Sequence, residues 1–165
     1  MSRRSTVTVR ARPAAETAAA SGAFHVRSET ITIDTAHRVG IVDLTDRVME
    51  VVHRQHIAEG LAHVFSMHTT CTVFINEHQL ALEADITAFL EQMVPRDADW
   101  KHNDARFSDC DRMNADSHLR ALLLGHSLTV PVSGGEMVLG QWQRILMAEL
   151  DGPRARSIRI AVMGV

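Results

Sequence analysis

Regular alternation of hydrophobic and polar positions begins at Phe24. Glu29-Thr30-Ile31-Thr32-Ile33-Asp34 puts β-branched residues on one face, which predicts a half-buried strand. Leu44-Thr45-Asp46 followed by Val48, Val51 and Val52 predicts a helix of about three turns, with Thr45 as N-cap and Gly60 as its stop. Leu61 to Ile75 reads as one long strand, or two broken near Met67. Leu82, Ile86, Phe89, Leu90 and Met93 recur at helical spacing, so Leu80–Met93 is a helix ended by Pro95. Arg96–Arg112 is polar and irregular, a loop of a length that is usually functional or mobile. Asn114–Leu124 reads as a short helix with Leu119, Leu122 and Leu123 as its buried stripe and Gly125 as its stop. A strand over Ser127–Val132, a turn at Ser133-Gly134-Gly135-Glu136, a strand over Met137–Leu150, a turn at Asp151–Arg154 and a last strand over Ser157–Met163 complete the chain. The expected fold is α+β: a largely antiparallel β-sheet sandwich with a few packed helices, in a single domain and without internal repeats.

Composition narrows the class. The chain has 165 residues, 45% apolar and 22% charged, with a formal charge of −3, the balance of one ordinary globular domain. No apolar run approaches the ~18 residues of a membrane span, and the mixed charge lacks the basic face of a nucleic-acid binder. Two cysteines, Cys71 and Cys110, are too few for a disulfide scaffold and fit no zinc-ribbon spacing. A cytoplasmic location is the simplest expectation. Residues 1–22 differ from the rest, with Arg3, Arg4, Arg10 and Arg12 against the single acid Glu16. Such a segment has little apolar surface to offset its ordering entropy, and composition predicts a flexible tail.

Ten histidines and no tyrosine direct the search for chemistry, since imidazole is the commonest metal ligand. In His68-Thr69-Thr70-Cys71-Thr72-Val73-Phe74-Ile75-Asn76-Glu77, strand alternation groups His68, Thr70, Thr72 and Asn76 on one side and turns Cys71 to a core side. Cys71 therefore reads as a buried inert thiol rather than a partner of His68. His102 lies in the long loop, and Asn114 and His118 share a helix face. Three histidines on three segments could form an open metal site, or simply cap and solvate. Arg154 and Arg156, around a turn, suit bidentate capture of phosphate or carboxylate, or face water. His25, His37, His53, His56, His63, His78 and His126 show no pattern beyond surface or capping roles, with His78 notable for following Asn76-Glu77.

Taken in order, His68-Thr69-Thr70, Asn76-Glu77, Asp85, His102, Asn114 with His118, Leu139-Gly140-x-Trp142-Gln143-x-Ile145 and Glu149-x-Asp151-Gly152-Pro153-Arg154-x-Arg156 resemble the motifs of the YjbQ-like family. The resemblance runs from about Phe24 to Met163. It implies an α+β fold, assembly into homotrimers and a secondary thiamine-phosphate-synthase activity, joining a pyrimidinylmethyl diphosphate to a thiazole phosphate with loss of pyrophosphate. Carried onto this chain, it implies catalytic roles for Asn76, Glu77, Asp85 and Asn114, and substrate binding by Trp142, Gln143, Arg154 and Arg156. His68, His102 and His118 would hold a divalent metal, Zn or Mg. The partner would be a small phosphorylated metabolite, with no nucleic acid and no membrane. The chain is too short for the eight-unit barrel of the main thiamine-phosphate synthases, so such an activity would be of independent origin or a side reaction. A metal-dependent hydrolase of a phosphorylated metabolite and a non-catalytic trimeric anion-binding module are the alternatives.

Overall fold

In the computed structural model, which describes residues 4–165, the elements run β1 (His25–Asp34), β2 (Gly40–Asp43), α1 (Thr45–Gln55), β3 (Glu59–Ser66), β4 (Cys71–Asn76) and α2 (Leu80–Met93). After a single 3-10 turn at Lys101–Asn103 come α3 (Ala115–Leu124), β5 (Ser127–Ser133), β6 (Glu136–Met137), β7 (Arg144–Glu149) and β8 (Ala155–Gly164). The strands form two antiparallel sheets, ordered β1-β8-β3-β5-β6 and β2-β7-β4. The α+β sandwich expected from the sequence is the observed fold.

The two sheets face each other across one core. Ile31 and Ile33 of β1, Val64 of β3, Val73 of β4, Ile145 and Met147 of β7 and Ile158 and Ile160 of β8 meet there, joined by Val48, Val51 and Val52 from α1. The other face of the small sheet meets α2 and α3, where Leu90 and Ala121 pack on Ala148 and Leu150. β7 is therefore covered on both sides, and all six of its residues are buried. A strand in that position reads as a continuous apolar run rather than an alternation, which is why Met137–Leu150 looks like one strand. In fact β6 ends at Met137 and a turn closed by Gln143 N–H to Gly140 O (2.9 Å) precedes β7.

Several local expectations change for identifiable reasons. Asp43 accepts the Thr45 N–H at 2.9 Å, so Leu44 rather than Thr45 is the N-cap of α1. The Thr45 hydroxyl instead accepts the Ile145 N–H across the core. His56, at φ 53°, ends that helix, and Gly60 lies inside β3. β2 escapes the sequence pattern because it is four residues long. In α3 the buried face is Ala115, Asp116, Ser117, Arg120 and Ala121, while Leu122 and Leu123 are exposed. The polar face can be inside because its groups find partners: Arg120 donates to the Val94 carbonyl and pairs with Asp116, and Ser117 donates to the Leu150 carbonyl. The expected polar face of the His68–Asn76 stretch also fails, since Thr70, Thr72, Cys71 and Val73 are all buried between layers.

Residues 5–11 of the N-terminal stretch hydrogen bond to the body. Thr6 bridges His78, and the Thr8 N–H donates to the Gln141 carbonyl at 2.9 Å. Residues 12–22 are exposed. Among the described residues no helix is long and apolar enough to cross a membrane.

β3 and β8 approach tightly at Gly60, where a Cβ would lie 2.0 Å from the Met163 carbonyl oxygen. Neither atom is the end of a flexible side chain, so the strands themselves would have to separate. Gly60→Ala is expected to cost about 3 kcal/mol through overpacking, seen as a lower midpoint in chemical denaturation. An unchanged midpoint would contradict the close approach.

Candidate functional site

The segment between β7 and β8 is not a hairpin, because the two strands belong to different sheets. It carries the chain from one layer to the other and concentrates charge as it does so. Arg156 and Glu149, each 1% exposed, form a two-pronged ion pair: the Nε donates to Oε2 at 2.6 Å and an Nη2 hydrogen bond reaches Oε1. The Thr35 hydroxyl and the Asp151 N–H also donate to Glu149, at 2.9 and 2.8 Å, and Arg156 reaches the Thr70 hydroxyl at 3.2 Å. Burial alone would raise the Glu149 carboxyl, but the Arg156 hydrogen bonds and the Asp151 N–H override it and hold it below the usual carboxylate range.

Asp151, also buried, gathers a second group. Arg112 Nε and Asn114 Nδ2 each donate to its Oδ2 at 2.9 Å, and Arg154 lies at 3.6 Å. Burial pushes its carboxyl up and the Arg112 and Asn114 hydrogen bonds bring it below its ordinary value. The Asn114 side chain thus serves Asp151 rather than capping α3; that role falls to Asn103, whose Oδ1 accepts the Ala115 N–H at 2.9 Å.

His118 and His102 meet edge to face, with ring centroids 5.1 Å apart, beside an open pocket of about 290 Å³ that Trp100 and Leu119 also line. Burial lowers the His118 pKa, and the neighbouring His102 lowers it further. His68 lies in the connection after β3, where its Nε2 accepts the Ser157 N–H at 2.7 Å, so the neutral ring carries its proton on Nδ1. Burial and the Arg156 charge lower its pKa. It lines a different pocket, of about 530 Å³, with Phe65, Met67 and His126.

The remaining motif residues lie elsewhere. In the β4–β7 register Cys71 faces Glu149 and Asn76 faces Arg144, so Asn76 and the residues around Arg144 occupy the far end of the small sheet. Asn76 accepts the Glu77 N–H, Glu77 takes a hydrogen bond from Ser5, and Gln143 accepts the Gly140 N–H. Trp142 is 50% exposed and forms no wall of the histidine pockets. Asp85 is exposed on α2 with no hydrogen bond or ion pair to the charged groups described above.

Within one chain the residues do not fit the expected three-histidine metal site. His102 and His118 converge, His68 lines a separate pocket with one nitrogen already accepting a hydrogen bond, and the described residues hold no group of three or more His, Cys, Asp or Glu able to bind an ion. Thr35 and Arg112 escape sequence reasoning, since each is an ordinary loop residue whose partner is remote in the chain. Cys71 is as inert as expected, with burial raising its thiol to about 11.

The family described as UPF0047 protein YjbQ-like matches residues 29–165. The chain belongs to that family. A UPF0047 protein of Methanothermobacter thermautotrophicus is 47% identical over 141 residues, 86% of this chain and 94% of that protein. A UPF0047 protein of Mycobacterium tuberculosis is 35% identical over 136 residues, 81% of this chain and 96% of its own length. Among solved structures, a YbjQ-like protein of unknown function from Sulfolobus solfataricus superposes with a TM-score of 0.81 at 34% identity, covering 87% of this chain and 100% of that one. A hypothetical protein from Aeropyrum pernix gives 0.77 at 34% identity, over 84% and 99%. This UPF0047 chain thus shares the family's fold along nearly the whole length of those relatives.

The titrations predict a two-stage acid profile. His68 and His118 titrate below 6.5 when folded, so the unfolded chain binds those protons first and stability begins to fall as pH drops through 6.5. Glu149 and Asp151 contribute stability that is full above their ordinary values of 4.5 and 3.8 and is lost as pH falls through their lowered ones. Denaturation midpoints measured from pH 8 to 3 should therefore plateau above 6.5 and fall twice. His68→Gln with His118→Gln should flatten the first fall and leave the second; a first fall unchanged in the double variant would refute the assignment.

Proposed function

We propose that this UPF0047 chain binds a small phosphorylated metabolite at the end of the sandwich built around Asp151, and acts there as a cytoplasmic thiamine-phosphate-synthase-like transferase. The supporting observation is the charge arrangement: Arg112, Arg154 and Arg156 face Glu149 and Asp151 in direct contact. Arg156 is committed to its buried partner, whereas the side chains of Arg112 and Arg154 are 45% and 36% exposed. Those two can turn their outer N–H groups to a phosphate, for which a planar guanidinium is well shaped.

The family resemblance implies the reaction. The bond from the pyrimidinylmethyl carbon to the diphosphate oxygen breaks, the thiazole nitrogen forms the new bond, and pyrophosphate leaves with the electron pair. Arg112 and Arg154 would stabilise that departing charge. His118, held neutral near pH 7, would offer a hydrogen bond without adding positive charge, and the pocket beside His102 would take one ring. No step is assigned to a metal. A non-catalytic anion-binding module is the second reading, favoured because guanidiniums hold both carboxylates of this end below their ordinary values, leaving neither poised to take a proton.

Calorimetry with inorganic phosphate and pyrophosphate tests the binding, and pyrophosphate release from the two substrates tests turnover. Arg154→Ala and Arg112→Ala should each weaken anion binding about tenfold or more, the worth of a charge-assisted hydrogen bond. Failure of the unaltered chain to bind either anion would overturn the reading. Binding without pyrophosphate release would select the module.

Assembly as a homotrimer is part of the proposal. Leu122 and Leu123 on α3 and Phe89 and Met93 on α2 are more than half exposed, and large apolar side chains left in this way suit burial between copies. Leu122→Glu is expected to lower the mass measured by light scattering from trimer to monomer. A monomeric unaltered chain would reject the assembly.

A further inference from the structure

The family match begins at residue 29, yet residues 5–11 are bound to the body by a consistent set of polar contacts. The Thr6 N–H donates to the His78 carbonyl at 2.9 Å and the Thr8 N–H to that of Gln141 at 2.9 Å, and the Thr8 hydroxyl donates to the Gln143 carbonyl at 2.6 Å. Arg144 reaches back to the Val7 carbonyl at 3.2 Å, and Ser5 donates to the Glu77 carboxylate. Arg10 anchors the far end. Its guanidinium donates to the carbonyls of Ser133, Met137 and Glu136 at 2.7, 2.8 and 3.3 Å, while the Ala11 N–H meets the Glu136 carboxylate at 3.1 Å. The Arg10 side chain is 12% exposed, a degree of burial unusual for an arginine outside the core.

The segment contributes no side chain to the buried hydrophobic clusters. Val9 is 80% exposed, and among the described residues Thr6 makes the segment's one β-bridge. Attachment through hydrogen bonds and one charged anchor, with no strand of a sheet, is the signature of a locally opening element, not of a core strand. It lies across Glu77, Gln143 and Arg144, at the end of the small sheet opposite Asp151.

We propose that residues 5–11 form a detachable strap. The groove between the turn at Glu77-His78 and the turn at Gln141-Gln143 is a receptor for an extended polypeptide, filled in cis by this chain's own N-terminal segment with Arg10 as its anchor. Undocking the strap is the step that opens Glu77, Gln143 and Arg144 to any other partner. This stands independently of the phosphate site, which is at the other end of the sheet. The family match starts downstream of the strap, and the Sulfolobus structure is covered over 100% of its length by 87% of this chain, so the proposal expects the fold to persist without the segment.

Two measurements test this. A chain lacking residues 2–13 should keep the circular dichroism of the full chain and bind a synthetic peptide of residues 2–13 saturably, while the full chain should not. The peptide with Arg10→Ala should bind about tenfold or more weakly, from loss of its charge-assisted hydrogen bonds. In the full chain, hydrogen exchange should show the Thr6 and Thr8 amides protected, and Arg10→Ala should release both while the amides of β8 stay protected. Unfolding of the truncated chain would show the segment to be integral and overturn the proposal. So would absence of peptide binding, or unprotected Thr6 and Thr8 amides in the unaltered chain.

Discussion

The Arg156–Glu149 pair is the constraint on which the rest of the arrangement depends. Glu149 is the last residue of β7 in the small sheet and Arg156 is near the start of β8 in the large one. Their contact ties the two layers where the chain crosses between them. Two charges so deeply buried are tolerable only with complete hydrogen bonding, because desolvation offsets much of their attraction. Thr35, Thr70 and the Asp151 N–H supply that completion. Loss of one partner would leave the other as an uncompensated buried charge, a cost of about 3–5 kcal/mol. Gly152 belongs to the same constraint: a Cβ there would lie 2.4 Å from the His37 carbonyl, so the segment bearing Thr35 can close over the pair only against a glycine.

Once the pair is fixed, the geometry of β7 separates the charged groups into two ends. Six strand residues at about 3.3 Å each span roughly 17 Å. Glu149 marks one end, where Asp151, Arg154, Asn114, His118 and His68 collect; Arg144 marks the other, with Asn76 opposite it. A one-dimensional motif order conceals this division. Cys71 and Asn76 are five residues apart in sequence and at opposite ends of β4, so neighbouring motifs can lie far apart in space.

Where sequence periodicity and burial agree, the elements are legible: α2 falls at Leu80–Met93 as its spacing predicts, and β5 and β8 lie within a few residues of expectation. Legibility fails where a residue's surroundings invert its usual preference. Asp116 and Arg120 are buried because Arg38 and the Val94 carbonyl, remote in sequence, satisfy them. Leucines on the opposite face of α3 are exposed in consequence. The candidate site was readable in part for the same reason. Arg154, Arg156, Asn114 and His118 share one end of the sandwich, but their connecting groups Thr35 and Arg112 carry no local signature. Asp85, Trp142 and Gln143 entered through motif order and belong to other surfaces.

The chemistry available at the Asp151 end follows from which groups have been spent. Glu149 is consumed in holding Arg156, and Asp151 in holding Arg112, Arg154 and Asn114, each kept ionised by donors already in place. A carboxylate so held is a poor general base, since protonation would break the hydrogen bonds that position it. The imidazoles differ: burial lowers the pKa of His68 and His118, so both are neutral near pH 7. His68 already accepts the Ser157 N–H and keeps only a donor on Nδ1, whereas a neutral His118 ring can donate a hydrogen bond or accept a proton. Binding of an anion would change this balance by drawing Arg112 and Arg154 partly away from Asp151. Its carboxyl would then lose the hydrogen bonds that oppose its burial, and its proton affinity would rise. In the proposed function, arrival of the phosphate would thus raise the proton affinity of Asp151 above that of the anion-free site.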